Sequence, residues 1–306
     1  MSSSAAYRGR FAPSPTGPLH FGSLIAAVAS FCDARANGGE WRLRIEDVDA
    51  PRTRSEASDD ILATLSAYGF EWDGAVQRQS ERLDLYQSAL EALIARGMAY
   101  PCACTRKDLE QAPLGVGGER IYPGTCRNGL TPGREGRAWR VRVDAAPIVF
   151  RDRLQGWQEQ DLARDVGDFI VKRADGLFAY QLAVVVDDAE QRITHVVRGA
   201  DLLPSTARQI WLQRELRLRT PEYLHHPVAI DEGGRKLSKQ TGAARLPRDP
   251  LPVLVLAWRF LDQALPPSPP ASVAEFWRWA CHAWSPRALP PVAMLPAPRP
   301  GDRVTV

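Results

Sequence analysis

The sequence predicts an α/β fold in which a parallel sheet is interrupted by an inserted subdomain. Three observations predict it. Strand and helix patterns alternate near the start of the chain, then glycines, prolines and cysteines crowd together over residues 97–176, and strand and helix patterns resume afterwards. Alternating strands and helices favour a parallel sheet with crossover helices. A short, mostly helical C-terminal tail completes the predicted architecture.

Three segments indicate the first half of the core. Residues 19–36 carry apolar side chains at helical spacing and follow the turn-rich stretch 13–18, so we expect a loop that opens a helix. Residues 41–45 alternate apolar and charged side chains like a short strand. Residues 54–68 return to a helical period.

The second half follows the insertion, which itself carries a strand pattern at residues 138–143. Residues 179–186 are an almost continuous apolar run that ends in Asp187 and Asp188, which is typical of a strand buried on both faces. A helix pattern over residues 205–216 and a strand pattern over 225–230 come next. The core therefore resumes after the insertion.

The tail is predicted to contain two helices, at residues 251–263 and 272–282. Residues 286–300 are too rich in proline for regular structure. The predicted divisions are the first half of the core, the insertion, the second half of the core and the C-terminal region: 1–97, 98–176, 177–246 and 247–306.

Composition excludes some classes of protein. The 306 residues carry a net charge of only +3, so any contact with RNA must come from a local basic face. No apolar run reaches the roughly 20 residues of a membrane-spanning helix. The N-terminus lacks the apolar centre of a signal peptide. We therefore expect a cytoplasmic protein with no membrane partner.

The first chemical motif spans residues 10–23, where a turn-rich loop opens the predicted helix. A helix N-terminus presents unpaired N–H groups that suit a phosphate. His20 adds a donor, and Gly22 allows a flat base to approach the backbone. These features predict a nucleotide site. The alternative is a tight turn with His20 merely packed or solvated.

The second motif is the lysine loop, residues 235–240, which follows Gly233 and Gly234. Lys236, Ser238 and Lys239 on a glycine-hinged loop can form a mobile cationic clamp for triphosphate oxygens. The alternative is an ordinary solvated surface loop.

The third motif lies in the insertion. Cys102, Cys104 and Cys126 supply three thiols and Tyr122 a phenol, which together could close a tetrahedral zinc site. The alternative is free buried cysteines. The two other cysteines, Cys32 and Cys281, are interpreted as isolated small apolar residues.

Residues 13–23 and 236–240 resemble the two signature motifs of class I aminoacyl-tRNA synthetases. Stretches 10–17, 43–49, 180–188 and 195–201 resemble the glutamate-specific branch in order and spacing. The resemblance implies a Rossmann-like catalytic core, with His20 and Lys239 as catalytic residues and Mg²⁺ accompanying ATP. It assigns ATP binding to Pro13, His20, Gly22, Ser23, Lys236, Ser238 and Lys239. Ser23 departs from the general signature, which has a second histidine there.

The resemblance also implies a pocket for L-glutamate, whose charged groups need partners of both signs. The assigned residues are two arginines for the carboxylates, an acid for the ammonium and two hydrogen-bonding side chains: Arg10, Arg198, Glu46, Ser14 and Tyr180. Alternatives remain. Arg10 could lie on the surface, Tyr180 in the core, and Glu46 in an ion pair with Arg44 or Arg52.

Too few residues follow the lysine loop for an anticodon-reading module. Within the branch, this resembles the glutamyl-Q tRNA(Asp) synthetases, in which the tyrosine is a zinc ligand. The resemblance implies tRNA-independent formation of glutamyl-adenylate and transfer of glutamate to queuosine at the wobble position of tRNA(Asp). No obligate protein partner is inferred.

Three alternatives stay open. One is a truncated glutamyl-tRNA synthetase that charges the 3′ end of tRNA(Glu). The second is a non-catalytic RNA-binding module that keeps the synthetase fold. The third is an adenylyltransferase of the same nucleotide-binding superfamily.

Overall fold

The computed structural model describes residues 6–49, 55–115, 118–237 and 244–298. The strands are β1 Arg8–Phe11, β2 Glu40–Ile45, β3 Gln77–Arg78, β4 Ala99–Cys102, β5 Ala138–Val141, β6 Ile148–Asp152, β7 Gly156–Gln160, β8 Ile170–Lys172, β9 His195–Gly199, β10 Glu222–His226, β11 Val228–Ile230 and β12 Met294–Pro296. The helices are α1 Phe21–Ala36, α2 Ser55–Ala67, α3 Leu83–Ala95, α4 Leu162–Asp165, α5 Tyr180–Glu190, α6 Leu203–Glu215, α7 Pro250–Phe260 and α8 Val273–Ala283.

The core contains the predicted parallel strands. β1, β2 and β3 pair in parallel, and so do β9 and β10. β1 lies beside β9, where the N–H of Thr194 donates to the carbonyl of Arg8 at 2.9 Å. The carboxyl ends of parallel strands form the edge where α/β proteins bind ligands. Arg10 and Arg198 lie near those ends of β1 and β9.

The insertion forms an antiparallel sheet of β4, β5 and β8. The hairpin of β6 and β7 leaves this sheet and pairs with β10 of the core, where Asp152 lies opposite Tyr223. The hairpin therefore brings Asp152 into the core. The divisions at residues 97, 176 and 246 stay predictions.

One predicted strand is wrong. Residues 179–186 belong to helix α5, which packs against α3 and α6. Its residues from Gln181 to Asp188 are all buried, so no polar stripe reveals the helical period. A continuous apolar run does not distinguish a buried helix from a buried strand.

The tail contains both predicted helices, α7 and α8, which pack on α1. The proline-dense segment nevertheless contains a short strand, β12, which pairs in parallel with β11. Pro296 ends this strand, at a position where a missing N–H costs little because β12 has one neighbour. The prediction of no regular structure there is wrong.

The interpretation of Cys32 and Cys281 as isolated is also wrong. α1 packs against α8, and the two thiols are near enough for each to shift the pKa of the other. Burial and this contact raise the pKa of Cys32. Cys32 and Cys281 are 249 residues apart in sequence, so their spacing alone did not indicate that they lie close together.

A buried carboxylate connects α1 to the hairpin and the tail. Asp33 on α1 is fully buried and accepts hydrogen bonds from Tyr7 Oη (2.5 Å), Arg153 Nη1 (2.7 Å) and Trp284 Nε1 (2.9 Å). A buried carboxylate is stable only when its oxygens are paired in this way. Among the described residues, no helix is long and apolar enough to cross a bilayer.

Candidate active site and cysteine cluster

A cavity of about 430 Å³ opens at the carboxyl ends of β1 and β9. It brings together nine of the residues that the sequence singled out: Arg10, Ser14, His20, Gly22, Ser23, Glu46, Tyr180, Arg198 and Lys236. Pro13 does not line the cavity; its carbonyl accepts the N–H of Glu46 at 3.0 Å. Ser238 and Lys239 lie outside the described residues.

Arg10 and Glu46 belong to one buried charge network. Arg10 Nε donates to Asp188 Oδ1 at 3.3 Å, and Arg44 Nη1 donates to the same oxygen at 2.8 Å. Arg44 Nη2 donates to Glu46 Oε1 at 3.1 Å, so the ion pair between Glu46 and Arg44 exists alongside the cavity position of Glu46. Arg10 is 4% exposed, which excludes a surface role.

Burial and neighbouring charge act in opposite directions on these carboxylates. Burial raises the pKa of Asp188, but the charges of Arg10 and Arg44 outweigh it, and the pKa lies below its usual value. Burial raises the pKa of Glu46 above its usual value despite Arg44 and Arg10. An ammonium group beside Glu46 would favour its charged form.

Asp187 connects α5 to the start of α3 and to the residues just before it. It accepts hydrogen bonds from Gln79 Nε2 (2.8 Å), Arg82 Nε (2.7 Å) and Tyr86 Oη (2.8 Å). Arg44 lies 3.7 Å from its second oxygen. Asp187 and Asp188 thus share Arg44 and otherwise have different partners.

The N-terminus of α1 forms one wall of the cavity. His20 precedes the first turn, and its N–H donates to Ser23 Oγ at 3.2 Å, so Ser23 caps the helix start. A Cβ atom at Gly22 would lie 3.1 Å from both the His20 ring and the carbonyl oxygen of Leu237. Gly22 therefore permits Leu237 of the lysine loop to approach the helix N-terminus closely.

Tyr180 is the first residue of α5 and is partly exposed to the cavity. Burial of the phenol raises its pKa, so the hydroxyl stays protonated and can donate. Leu182 to Val186 of α5 lie in the apolar core, but Tyr180 itself is only partly buried.

Arg198 on β9 is 5% exposed. Its Nε donates to His225 Nε2 at 2.9 Å, and its Nη2 donates to Thr206 Oγ1 at 2.9 Å. His225 in turn contacts Asp152 Oδ2 through Nδ1 at 2.6 Å. Burial lowers the pKa of His225 to about 4, with Arg198 contributing to that lowering and Asp152 opposing it.

Lys236 also lines the cavity. Its Nζ forms an ion pair with Asp201 Oδ2 at 2.5 Å. Asp201 follows Gly199, where a Cβ atom would lie 2.5 Å from the Asp201 carboxylate and 2.8 Å from Val228. A glycine at position 199 therefore lets Asp201 fold back over the end of β9.

The insertion carries the cysteine cluster. The sulfur atoms of Cys102, Cys104 and Cys126 lie within 4.8 Å of one another, with Cys104 and Cys126 at 3.6 Å. Tyr122 Oη lies 3.5 Å from Cys102 Sγ and 3.7 Å from Cys104 Sγ. A zinc tetrahedron with Zn–S bonds of about 2.3 Å has S–S edges of about 3.8 Å. These four donors therefore have the spacing of a tetrahedral site.

Arg140 supports this cluster. Its guanidinium carbon lies 3.7 Å from the centroid of the Tyr122 ring, and its Nε donates to Cys102 Sγ at 3.3 Å. Its Nη1 donates to the carbonyl of Asp168 at 2.6 Å. A cation in this position offsets the negative charge that three thiolates would bring.

Sequence reasoning gave Arg44 only as a possible partner of Glu46, and it assigned no role to four other residues that support the cavity: Asp152, Asp188, Asp201 and His225. The sequence did offer one signal, which was a charged or polar residue inside a strand pattern. Arg44 lies between Leu43 and Ile45 in β2, and His225 follows Leu224 in β10; both are buried, and a buried charge or imidazole needs a partner. Which partner it takes depends on the tertiary fold.

The fold is shared with a solved glutamate-tRNA synthetase from Elizabethkingia anophelis, with a TM-score of 0.79 and 24% identity, over 95% of this chain and 68% of that chain. This likeness defines the fold as the class I synthetase catalytic fold.

Residues 6–247 match the family described as tRNA synthetases class I (E and Q), catalytic domain, and the chain belongs to that family. A relative from Aromatoleum aromaticum named glutamyl-Q tRNA(Asp) synthetase is 59% identical over 281 residues, which cover 91% of this chain and 89% of the relative. A relative of the same name from Dechloromonas aromatica is 56% identical over 296 residues, covering 95% and 98%.

Proposed function

We propose that this chain condenses L-glutamate with ATP to form glutamyl-adenylate without tRNA, and then transfers the glutamate to queuosine at the wobble position of tRNA(Asp) in the cytoplasm. The observation that carries the proposal is the charge pattern of one cavity. Arg10, Arg198 and Glu46 line it together with the N-terminus of α1 and Lys236.

The glutamate end of the cavity has partners for every charged group of the substrate. Arg10 and Arg198 provide cations for the two carboxylates, and Glu46 provides an anion for the ammonium. Ser14 and Tyr180 add hydroxyl groups. Both arginines are held by buried partners, so they are oriented before the substrate arrives.

The ATP end lies against α1. The helix N-terminus attracts phosphate, and His20 can donate to the α-phosphate as negative charge builds there. The glutamate α-carboxylate attacks the α-phosphorus, and pyrophosphate leaves. Lys236, and by family resemblance Ser238 and Lys239, would hold the leaving phosphates. Mg²⁺ supplies charge neutralisation on the phosphates when bound.

Transfer needs an acceptor hydroxyl, which the queuosine ring offers. Two relatives that match this chain over most of their length carry the name glutamyl-Q tRNA(Asp) synthetase, which supports this acceptor. Hydroxyl attack on the adenylate carbonyl forms the ester and releases AMP.

The cysteine cluster is proposed to hold Zn²⁺ through Cys102, Cys104, Tyr122 and Cys126. Their spacing fits tetrahedral ligation, and the N–H of Cys126 donates to Tyr122 Oη at 2.8 Å, which stabilises a phenolate. When bound, the ion would stabilise the insertion by linking β4 to the segment that precedes β5. It would have a structural role.

The location of the transferred amino acid tests the acceptor. Labelled glutamate is incubated with ATP and tRNA prepared with or without queuosine, and the tRNA is then cut into fragments. The proposal predicts label in the anticodon fragment, only when queuosine is present. Label at the 3′ end would support a truncated glutamyl-tRNA synthetase, and no label with intact ATP binding would support a non-catalytic module.

A further inference from the structure

A chain of three buried side chains leads from the β6–β7 hairpin to the cavity. Asp152, His225 and Arg198 are 2%, 0% and 5% exposed. Asp152 Oδ2 lies 2.6 Å from His225 Nδ1, and His225 Nε2 lies 2.9 Å from Arg198 Nε. Asp152 and His225 do not line the cavity themselves.

The hydrogen bonds fix the protonation state of every member. Arg198 Nε can only donate, so His225 Nε2 must carry a lone pair. The single ring proton is therefore on Nδ1, where it is donated to Asp152. His225 is neutral, which agrees with the depressed pKa that its burial causes.

Asp152 cannot turn to another orientation. Its Oδ1 accepts the backbone N–H groups of Leu154 (2.9 Å) and Gln155 (2.8 Å), so Oδ2 must face His225. The turn of the β6–β7 hairpin thereby sets the direction of the imidazole. The ring also stacks on Tyr223, with an angle of 12° between planes.

Arg198, at the far end of the chain, lines the cavity. Arg198 uses Nε on His225 and Nη2 on Thr206, and within the described residues its buried Nη1 has no hydrogen-bond partner. A buried guanidinium with an unpaired N–H is not fully satisfied by the protein, so an anion bound beside it is favoured. Carboxylate oxygens are the acceptors that suit it best.

We propose that Asp152 and His225 are positioning residues for glutamate: through the bond to Nε they hold the guanidinium of Arg198, a residue that lines the cavity, in the orientation that binds a carboxylate of the substrate. The inference rests on the proposed function, because that function supplies the carboxylate. Arg198 touches the substrate, and the other two residues act through it.

Asp152→Asn tests this positioning role, because asparagine has almost the same shape as aspartate. The backbone N–H groups of Leu154 and Gln155 hold Oδ1, so the new amide nitrogen faces His225 Nδ1. The imidazole must then move its proton to Nε2, where it opposes Arg198 Nε, as in a catalytic triad whose aspartate is replaced by asparagine.

The measurement is glutamate-dependent exchange of pyrophosphate into ATP. We expect Asp152→Asn to raise the KM for glutamate by about tenfold to a hundredfold, the loss typical of a charged hydrogen bond, with little change in the KM for ATP. His225→Leu should do the same, whereas His225→Gln should retain much of the affinity because its amide oxygen can accept from Arg198. His195→Gln, at the other end of the same sheet, is the matched control.

The result that overturns the inference is a wild-type KM for glutamate in Asp152→Asn, or equal changes in the KM for glutamate and for ATP. A second test does not depend on the variants folding: ¹⁵N chemical shifts of the His225 ring must place the proton on Nδ1 in the unmodified chain, and a proton on Nε2 would refute this positioning role. Absence of exchange in the unmodified chain would instead contradict the proposed function.

Discussion

Asp188 Oδ1 lies 3.3 Å from Arg10 Nε, although 178 residues separate them in sequence. This pair joins the C-terminal half of α5 to the end of β1, at the wall of the cavity. Asp188 therefore orients one of the two arginines proposed for glutamate.

Asp188→Asn should weaken glutamate binding and also destabilise the fold. The change leaves Arg10 and Arg44 without a full negative charge, and breaking a buried ion pair costs about 3 kcal/mol or more. Chemical denaturation measures the loss of stability, and calorimetry measures the glutamate affinity. Asp187→Asn is the matched control, since Asp187 contacts Arg82 and Tyr86 and makes no hydrogen bond to Arg10 in the described residues. Equal glutamate affinities in the two variants would contradict the assigned role of Asp188.

Lys239→Ala should depress adenylate formation strongly and leave glutamate binding nearly intact. The prediction follows from the signature motif, because Lys239 lies outside the described residues. A cation that meets the leaving phosphates acts in the transition state, so its loss lowers kcat with little effect on the KM for glutamate. Lys107→Ala, on the exposed surface of the insertion, is the control. Exchange at the wild-type rate would remove Lys239 from the mechanism.

Cys104→Ser should lose zinc and soften the insertion. Serine is a much poorer zinc ligand than a thiolate, and three remaining donors hold the ion weakly. Elemental analysis of the purified protein gives the metal content, and hydrogen exchange reports on β4 and β5. Cys281→Ser, remote from the cluster on α8, should keep the metal. One equivalent of zinc in both variants would refute the ligand assignment.

Stability should decline as the pH falls from about 6.5 to about 4, in part through His225. The imidazole has a pKa of about 4 in the folded chain and its ordinary value of 6.5 when unfolded, so the unfolded chain binds the proton first in this window. Each such group contributes up to about 1.4 kcal/mol per pH unit. Chemical denaturation across the window should show a smaller slope for His225→Gln than for the unmodified chain, and identical slopes would argue against a buried neutral imidazole.

Much of the cavity lining could be predicted from the sequence because its residues lie in short motifs of fixed order. His20, Gly22 and Ser23 lie at the start of one helix, so local spacing alone places them together. Arg10 and Arg198 lie in β1 and β9 and Glu46 lies directly after β2, and family resemblance rather than spacing brought them into one prediction.

The supporting partners could not be predicted, because they depend on tertiary pairing. Asp152 reaches His225 only because the β6–β7 hairpin leaves the insertion and joins β10. The same limit explains the wrong strand at α5: burial on all sides removed the polar stripe that would have marked a helix. Cys32 and Cys281 looked isolated for the same reason.

The most direct test of the account is exchange of labelled pyrophosphate into ATP in the presence of glutamate and in the complete absence of tRNA. A cavity that already holds Arg10, Arg198 and Glu46 in buried contacts needs no RNA to complete it, so we predict rapid, glutamate-dependent exchange. The account would be contradicted if exchange began only when tRNA was added, or if no exchange occurred in the presence of glutamate.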